Sequence, residues 1–270
     1  MMLFDTHVHS LFSRDSSSTV ASAVQAAINA GLAGLCFTDH TDFSVHEDQP
    51  DDIFDIEQHQ AEITALGRQY ASQIQCYCGI EIGLQVEMAE RINAITAAHH
   101  FDLIIASLHW VYRQDPYRGA YYEGKTLKAS YGGYLECLYQ AAQFFQDYDV
   151  LGHYDYISRY SPYPQKSLRY KDFPDHLDSL LHLLITRGKC LELNTGSFRS
   201  RNGQQAPQFD PDFYRRYKEL GGELISLGSD AHEQARVGAD FSYYAAQLKQ
   251  IGFKYLCHYK NRKPIFTLIS

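Results

Sequence analysis

The sequence of 270 residues lacks the features that mark several large classes of protein. It has no lysine- or arginine-rich run, and its formal net charge is -8. Non-specific binding to a nucleic-acid backbone needs a basic patch to displace counterions, so no nucleic-acid partner is expected. No apolar stretch approaches the roughly 18 residues that read as a membrane span, so no membrane partner is expected either. The apolar start Met2-Leu3-Phe4 is cut by Asp5, which reads as a strand and not as a secretory leader. The six cysteines form no C-x-x-C pair and read as reduced, partly buried thiols. Together these absences predict a cytoplasmic location. Neither G-x-G-x-x-G nor G-x-x-x-x-G-K-S/T follows an apolar run, which removes the main support for a nucleotide-binding fold. No repeat, low-complexity tract or linker divides the chain, so residues 1–270 are expected to form one domain.

What is present is a rhythm. Hydrophobic residues make up 45 % of the chain, enough for a full core. Short apolar runs at 2–6, 34–38, 75–80, 103–107, 150–152, 190–193 and 224–228 read as strands buried on both faces. Longer amphipathic segments at 19–30, 53–70, 85–98, 133–148, 173–187, 211–220 and 239–251 read as helices between them. Gly31, Gly188 and Gly221 each sit just past the end of one. Seven alternations of strand and helix predict a parallel α/β barrel, closed or nearly so. Two long connections, about 43–52 and 110–131, follow strands and are expected to shape a site at that end.

Six of the thirteen histidines fall at or just after the C-terminal end of a predicted strand: His7, His9, His40, His109, His153 and His232. Asp15, Glu81 and Asp230 join them at equivalent places. In a parallel barrel this rim is where catalytic groups gather. His7 and His9 are two residues apart on an extended segment and share a face, as do Asp230 and His232. Glu81 stands between two isoleucines, where an unpaired carboxylate is costly and a cation compensates it. Each residue alone has a plainer reading, as a core histidine or a salt-bridged acid; nine together favour a metal centre. Nine nitrogen and oxygen donors exceed what one ion uses, and no cysteine joins them. They suit two to three divalent ions, zinc, iron or manganese. His59, His99, His100, His176, His182 and His258 lie within helices or late in the chain and read as structural or solvated. His46 lies in a loop that could overhang the site.

These residues resemble the PHP family, named for polymerase and histidinol phosphatase domains. Asp5-Thr6-His7-Val8-His9 matches its opening motif. Phe37-Thr38-Asp39-His40, Ser107-Leu108-His109 and Leu227-Gly228-Ser229-Asp230-Ala231-His232 are similar to the other three. The resemblance implies a single-domain distorted (β/α)7 TIM-like barrel with a trinuclear centre. It implies that His7, His9, Glu81 and Asp230 hold one metal. Glu81 then bridges to a second, completed by His109 and His153, and Asp15, His40 and His232 hold the third. Many members carry histidine where this chain has Asp15. Within the family the chain is most similar to the monofunctional histidinol phosphatases, through the segments at 152–160 and 192–199, which carry Arg159 and Arg199.

Both arginines follow a strand end, and guanidinium groups suit a dianionic phosphomonoester. The expected reaction is therefore hydrolysis of a small-molecule phosphomonoester, L-histidinol phosphate on the resemblance, in histidine biosynthesis. The expected nucleophile is a metal-bound hydroxide. Glu81, Asp230 and His232 are the expected catalytic groups. The leaving alkoxide takes its proton from a metal-bound water or from Asp230 or His232. Asp42, Glu47 and Asp48 are candidates for an acidic pocket around the substrate's amine and imidazole. A PHP-type phosphodiesterase or exonuclease uses the same metal set, and the acidic charge and paired arginines weigh against it. A metal-bearing but inactive domain is opposed by the nine filled positions. An amidohydrolase barrel usually wants a strand-end lysine, and none is present.

Overall fold

A computed structural model of the chain describes residues 2–46, 49–201 and 203–269. Seven parallel strands curl round in sequence order: β1 (Phe4–Val8), β2 (Gly34–Phe37), β4 (Gln75–Gly83), β5 (Leu103–Ser107), β6 (Val150–Leu151), β7 (Cys190–Asn194) and β8 (Ile225–Gly228). A two-residue strand, β3 (His40–Thr41), pairs with the far end of β4, so that His40 lies in register with Glu81. β1 and β8 meet through a parallel bridge between Val8 and Ala231. Beside it the His9 N–H donates to Ala231 O at 3.0 Å and the Asp230 N–H to His7 O at 2.8 Å. The expected seven-stranded, nearly closed barrel is the observed one.

Among the described residues the α-helices are α1 (Val20–Asn29), α2 (Ile56–Gln69), α3 (Ala89–Ala98), α4 (Leu127–Phe144), α5 (Tyr156–Arg159), α6 (Pro174–Thr186), α7 (Pro211–Glu219) and α8 (Phe241–Ile251). Thr19 caps α1 by accepting from the Ser22 N–H, and Asp55 caps α2 from the Gln58 N–H. The helix predicted over 133–148 instead starts six residues earlier. Thr126 accepts from the Ala129 N–H there, and the helix runs through Gly132 and Gly133 because Tyr131, Tyr134 and Leu135 are buried. Packing overrides the glycine penalty. The second long connection is shorter by the same amount. The first, near 43–52, is closed at its neck by paired backbone bonds between Asp42 and Asp52, each 2.8 Å.

The C-terminal hairpin was not foreseen. β9 (Tyr255–Lys260) and β10 (Lys263–Leu268) pair antiparallel around Asn261 and Arg262, both with positive φ. β9 packs against β1 and β8 at the N-terminal end of the barrel, where Cys257 and Tyr259 join Cys36, Leu103, Val150 and Cys190 in a small apolar cluster. All six cysteines are free thiols. No helix among the described residues is long and apolar enough to cross a membrane.

Candidate metal centre

The opposite end of the barrel brings together the nine expected metal ligands. His7 and His9 leave β1, Glu81 leaves β4, His109 follows β5, His153 follows β6, and Asp230 and His232 follow β8. Glu81 is the hub and is fully buried. Its Oε1 lies 2.8 Å from His153 Nε2 and 3.5 Å from His109 Nε2. Its Oε2 lies 2.8 Å from His40 Nδ1, 3.3 Å from His7 Nε2 and 3.5 Å from His9 Nε2. Asp230 Oδ1 is 3.3 Å from His9 Nε2 and 3.7 Å from His7 Nε2. Asp15 is the outlier: its side chain is 61 % exposed and reaches His232 Nε2 at 3.3 Å and His40 Nε2 at 3.8 Å.

Local backbone makes this density possible. Asp230 sits at φ +53°, the left-handed region that aspartate tolerates better than most residues. At Gly228 a β-carbon would collide with Glu192 and come within 2.7 Å of His7. At Gly83 it would collide with Asp42. Glycine at these strand ends lets carboxylates approach.

The donor set fits a cation for three reasons. First, the Nε2 atoms of His7 and His9 face each other at 3.1 Å. Their Nδ1 atoms are engaged elsewhere, by Glu192 Oε1 at 2.7 Å and by Ser13 Oγ at 3.0 Å. Two lone pairs cannot face each other at that distance, so a proton or a metal must lie between them. Second, His40 Nε2 and His232 Nε2 face each other in the same way at 3.3 Å, while His232 Nδ1 bonds Asp230 O. Third, Glu81 Oε2 and His40 Nδ1, though close, make no aligned hydrogen bond and stand as buried orphans. Four sets of three donors lie close enough to share an ion: His9, His40 and His232; His7, His9 and Asp230; His7, Glu81 and His153; and His40, Asp42 and His109.

Without a metal the cluster must hold protons. Burial opposes charge on His7, but Glu192, Glu81 and Asp230 raise its pKa well above the ordinary imidazole value. Burial likewise opposes His40, which Glu81 and Asp15 push up to about 9. His9 goes the other way, to about 3, through burial and the neighbouring His232 and His40. Burial works against the charge on Glu81, yet His7, His40 and His109 hold it well below the carboxylate range. Mutual compensation of this kind is expected where ligands converge on an ion.

Several contributors were not visible in the sequence. Glu192 accepts from His7 Nδ1, from the His153 N–H at 2.7 Å and from Asn194 Nδ2 at 3.0 Å. Asp42, one of the acids expected at a substrate pocket, takes both its oxygens to 3.0 Å from His109 Nδ1 and also lines the cleft above the cluster. Glu47 and Asp48, the other acids expected there, lie outside the described residues. Above the cluster is a cleft of about 760 Å³. Arg159, Arg199, Arg201 and Arg236 line it together with Asp115, Trp110, Tyr117 and Tyr160. Arg159 is heavily engaged, with Nη1 to Asp230 Oδ2 at 2.6 Å and Nε and Nη2 to Ser197 Oγ. Arg199 is freer, and its buried Nε has no partner. His46 bonds Arg113 O at the cleft's outer loop and does not join the cluster. His59 is fully buried behind the site, and His258 lies at the opposite end of the barrel.

Comparison with known proteins agrees with this geometry. Residues 5–196 match the PHP domain. The chain is 31 % identical over 272 residues to a histidinol-phosphatase of Lactococcus lactis, covering 98 % of this chain and 99 % of that protein. It is 30 % identical to a probable histidinol-phosphatase of Clostridium acetobutylicum, over 89 % of this chain and 90 % of that one. The solved structure of histidinol phosphate phosphatase from L. lactis, complexed with zinc, L-histidinol and phosphate, superposes with a TM-score of 0.89 at 31 % identity, covering 97 % of this chain and 98 % of that one. A putative histidinol phosphatase from Listeria monocytogenes shares the fold, with a TM-score of 0.74 at 18 % identity over 89 % of this chain and 99 % of that one. The chain belongs to the PHP family.

Proposed function

We propose that this PHP-family chain is a metal-dependent phosphomonoesterase that hydrolyses L-histidinol phosphate to L-histidinol and phosphate. The observation that carries the reading is a cleft lined by arginines, acids and aromatic rings directly above a cluster of converging histidine and carboxylate donors. His7, His9, Glu81 and Asp230 would hold one divalent ion, Glu81 with His109 and His153 a second, and Asp15, His40 and His232 a third. Zinc, iron and manganese all suit such donors. When bound, these ions neutralise phosphate oxygens and bring the pKa of water toward neutrality.

The chain's own groups divide the remaining work. Arg199, with a free Nε, takes the phosphate, and Arg159 contributes the N–H groups not spent on Asp230 and Ser197. Burial opposes ionisation of Asp230, but Arg159 and His7 keep its pKa well below the carboxylate range. It therefore holds no proton to give, and it suits a metal ligand. His232, with Nδ1 on Asp230 O and Nε2 turned toward His40 and Asp15, suits a ligand and has no ring nitrogen free to protonate the leaving alkoxide. Asp115 lines the cleft with one oxygen on the Tyr117 N–H and suits the cationic end of the substrate.

The test is phosphate release from L-histidinol phosphate, a neutral-alcohol monoester and a diester, with metal content measured on the same sample. Preference for histidinol phosphate at two to three metals per chain supports the reading. Activity on the diester alone keeps the centre and overturns the substrate.

A further inference from the structure

His59 lies on α2, outside the barrel wall, and is fully buried with Ile56 and Ile63 on the helix's inner face. A histidine at such a position is ordinarily a core residue. Its surroundings say more. Phe12 meets its ring edge-on with centroids 5.1 Å apart, and Phe54 lies at 4.8 Å. Among the described residues Nδ1 has no partner, and the ring's one polar contact is Nε2 to Asp39 Oδ2 at 3.0 Å. An orphan nitrogen in an aromatic box carries an unrepaid desolvation cost that a packing residue such as leucine would avoid.

Asp39 is also fully buried and receives three other donors. The Ser10 N–H reaches Oδ1 at 2.7 Å, Ser10 Oγ reaches Oδ2 at 2.8 Å, and Ser13 Oγ reaches Oδ1 at 2.7 Å. Four donors on two oxygens commit the single Ser13 hydroxyl proton to Asp39. Ser13 Oγ is then left to accept, from the His40 N–H at 3.0 Å and from His9 Nδ1 at 3.0 Å. His9 must therefore carry its proton on Nδ1 and turn a bare Nε2 toward His7, Glu81 and Asp230. Were Ser13 to donate to His9 instead, the His9 proton would move to Nε2 and occupy the place of a metal.

We propose that His59 and Ser13 are positioning residues of the metal centre, acting through Asp39 to fix His9 in its ligating tautomer. This rests on reading the cluster as a metal site. His59 holds the Asp39 carboxylate in the orientation that claims the Ser13 proton. The hydrogen-bonded path runs from an outer helix to a ligand without touching the cleft.

The experiment uses the full-length protein stripped of metal. Nitrogen-15 NMR of the His9 imidazole reads its tautomer, and zinc affinity is read by chelator competition. The wild type should show the Nδ1–H form. Ser13→Ala, which removes one oxygen and little packing, should mix the tautomers and weaken zinc binding about 10- to 100-fold. His59→Leu should do the same more mildly, and His59→Gln, whose amide can donate to Asp39, should restore affinity to within a few-fold. Unchanged tautomer and affinity in Ser13→Ala would overturn the proposal. Equal losses in His59→Leu and His59→Gln would remove His59 from it. A wild type that binds no zinc would overturn the metal reading itself, and the proposal with it.

Discussion

Phe4 and His7 lie on one strand, three residues apart, and face opposite problems. Phe4 stacks on His258 at the base of the barrel, with centroids 3.5 Å apart and rings 6° from parallel. There burial lowers His258 to a pKa of about 4, and the ring is neutral. At the rim, burial is more complete for His7, yet three carboxylates overcome it and favour the charged form. The base satisfies itself with apolar contacts and closes. The rim leaves Glu81 Oε2 and His40 Nδ1 without hydrogen-bond partners. Desolvation is thus not what separates a structural histidine from a ligand in this chain. The number of converging carboxylates is, and the barrel's parallel strands deliver them at one end only.

The comparison can be pressed from both sides. The largest effect is expected from Glu81→Gln. Turnover of histidinol phosphate should fall on the order of 10³-fold in kcat/KM, about 4 kcal/mol. The melting temperature of the metal-free protein should fall only modestly, because the pairing with His7, His40 and His109 is lost together with the cost of burying the charge. A large fall in metal-free stability would mean that the rim holds the fold together. The mirror experiment is Leu103→Ala at the base, which should cost roughly 3 kcal/mol in denaturant unfolding and leave kcat unchanged. Arg199→Ala should raise KM for the monoester roughly tenfold, about 1.4 kcal/mol, with a smaller change in kcat. An unchanged KM would remove Arg199 from the phosphate site.

The smallest effect is a matter of pH. An unfolded histidine titrates near 6.5, and His258 is held at about 4 in the fold. Above pH 6.5 both states are neutral and the ring has no influence. Between about 6.5 and 4 the unfolded chain binds a proton that the fold refuses, so stability falls as pH is lowered through that window, by on the order of 1–2 kcal/mol. His258→Phe should flatten this acid-side decline. If it does not, the base is not where the decline originates.

Much of the rim was legible in the sequence because ligand chemistry is local. His7 with His9, Asp39 with His40, and Asp230 with His232 each announce themselves within three residues, directly after an apolar run. What supports them is not local. Glu192 meets His7 from 185 positions away, and Asp42 meets His109 across 67. A glutamate inside an apolar strand looks the same whether it binds a metal or orients a ligand, so Glu192 passed unremarked while Glu81 did not. His59 was read as structural or solvated because it lies within a helix; it is buried, and its bond to Asp39 could not be seen. The C-terminal hairpin escaped for a different reason. Its turn is Asn261-Arg262, with φ of 50° and 63°, where the usual signal is Asn-Gly.

The seam between β1 and β8 has a temporal consequence. His7 and His9 are synthesised more than two hundred positions before Asp230 and His232. The backbone bonds that join Val8 and His9 to Ala231 are the same ones that bring these ligands together. A growing chain therefore carries half a metal site for most of its synthesis and completes it only when the last barrel strand has emerged. Closing so distant a pair is slow relative to local structure. Tight metal capture thus reports a finished barrel, and a truncated product holds the opening histidines without the partners that would let them keep an ion.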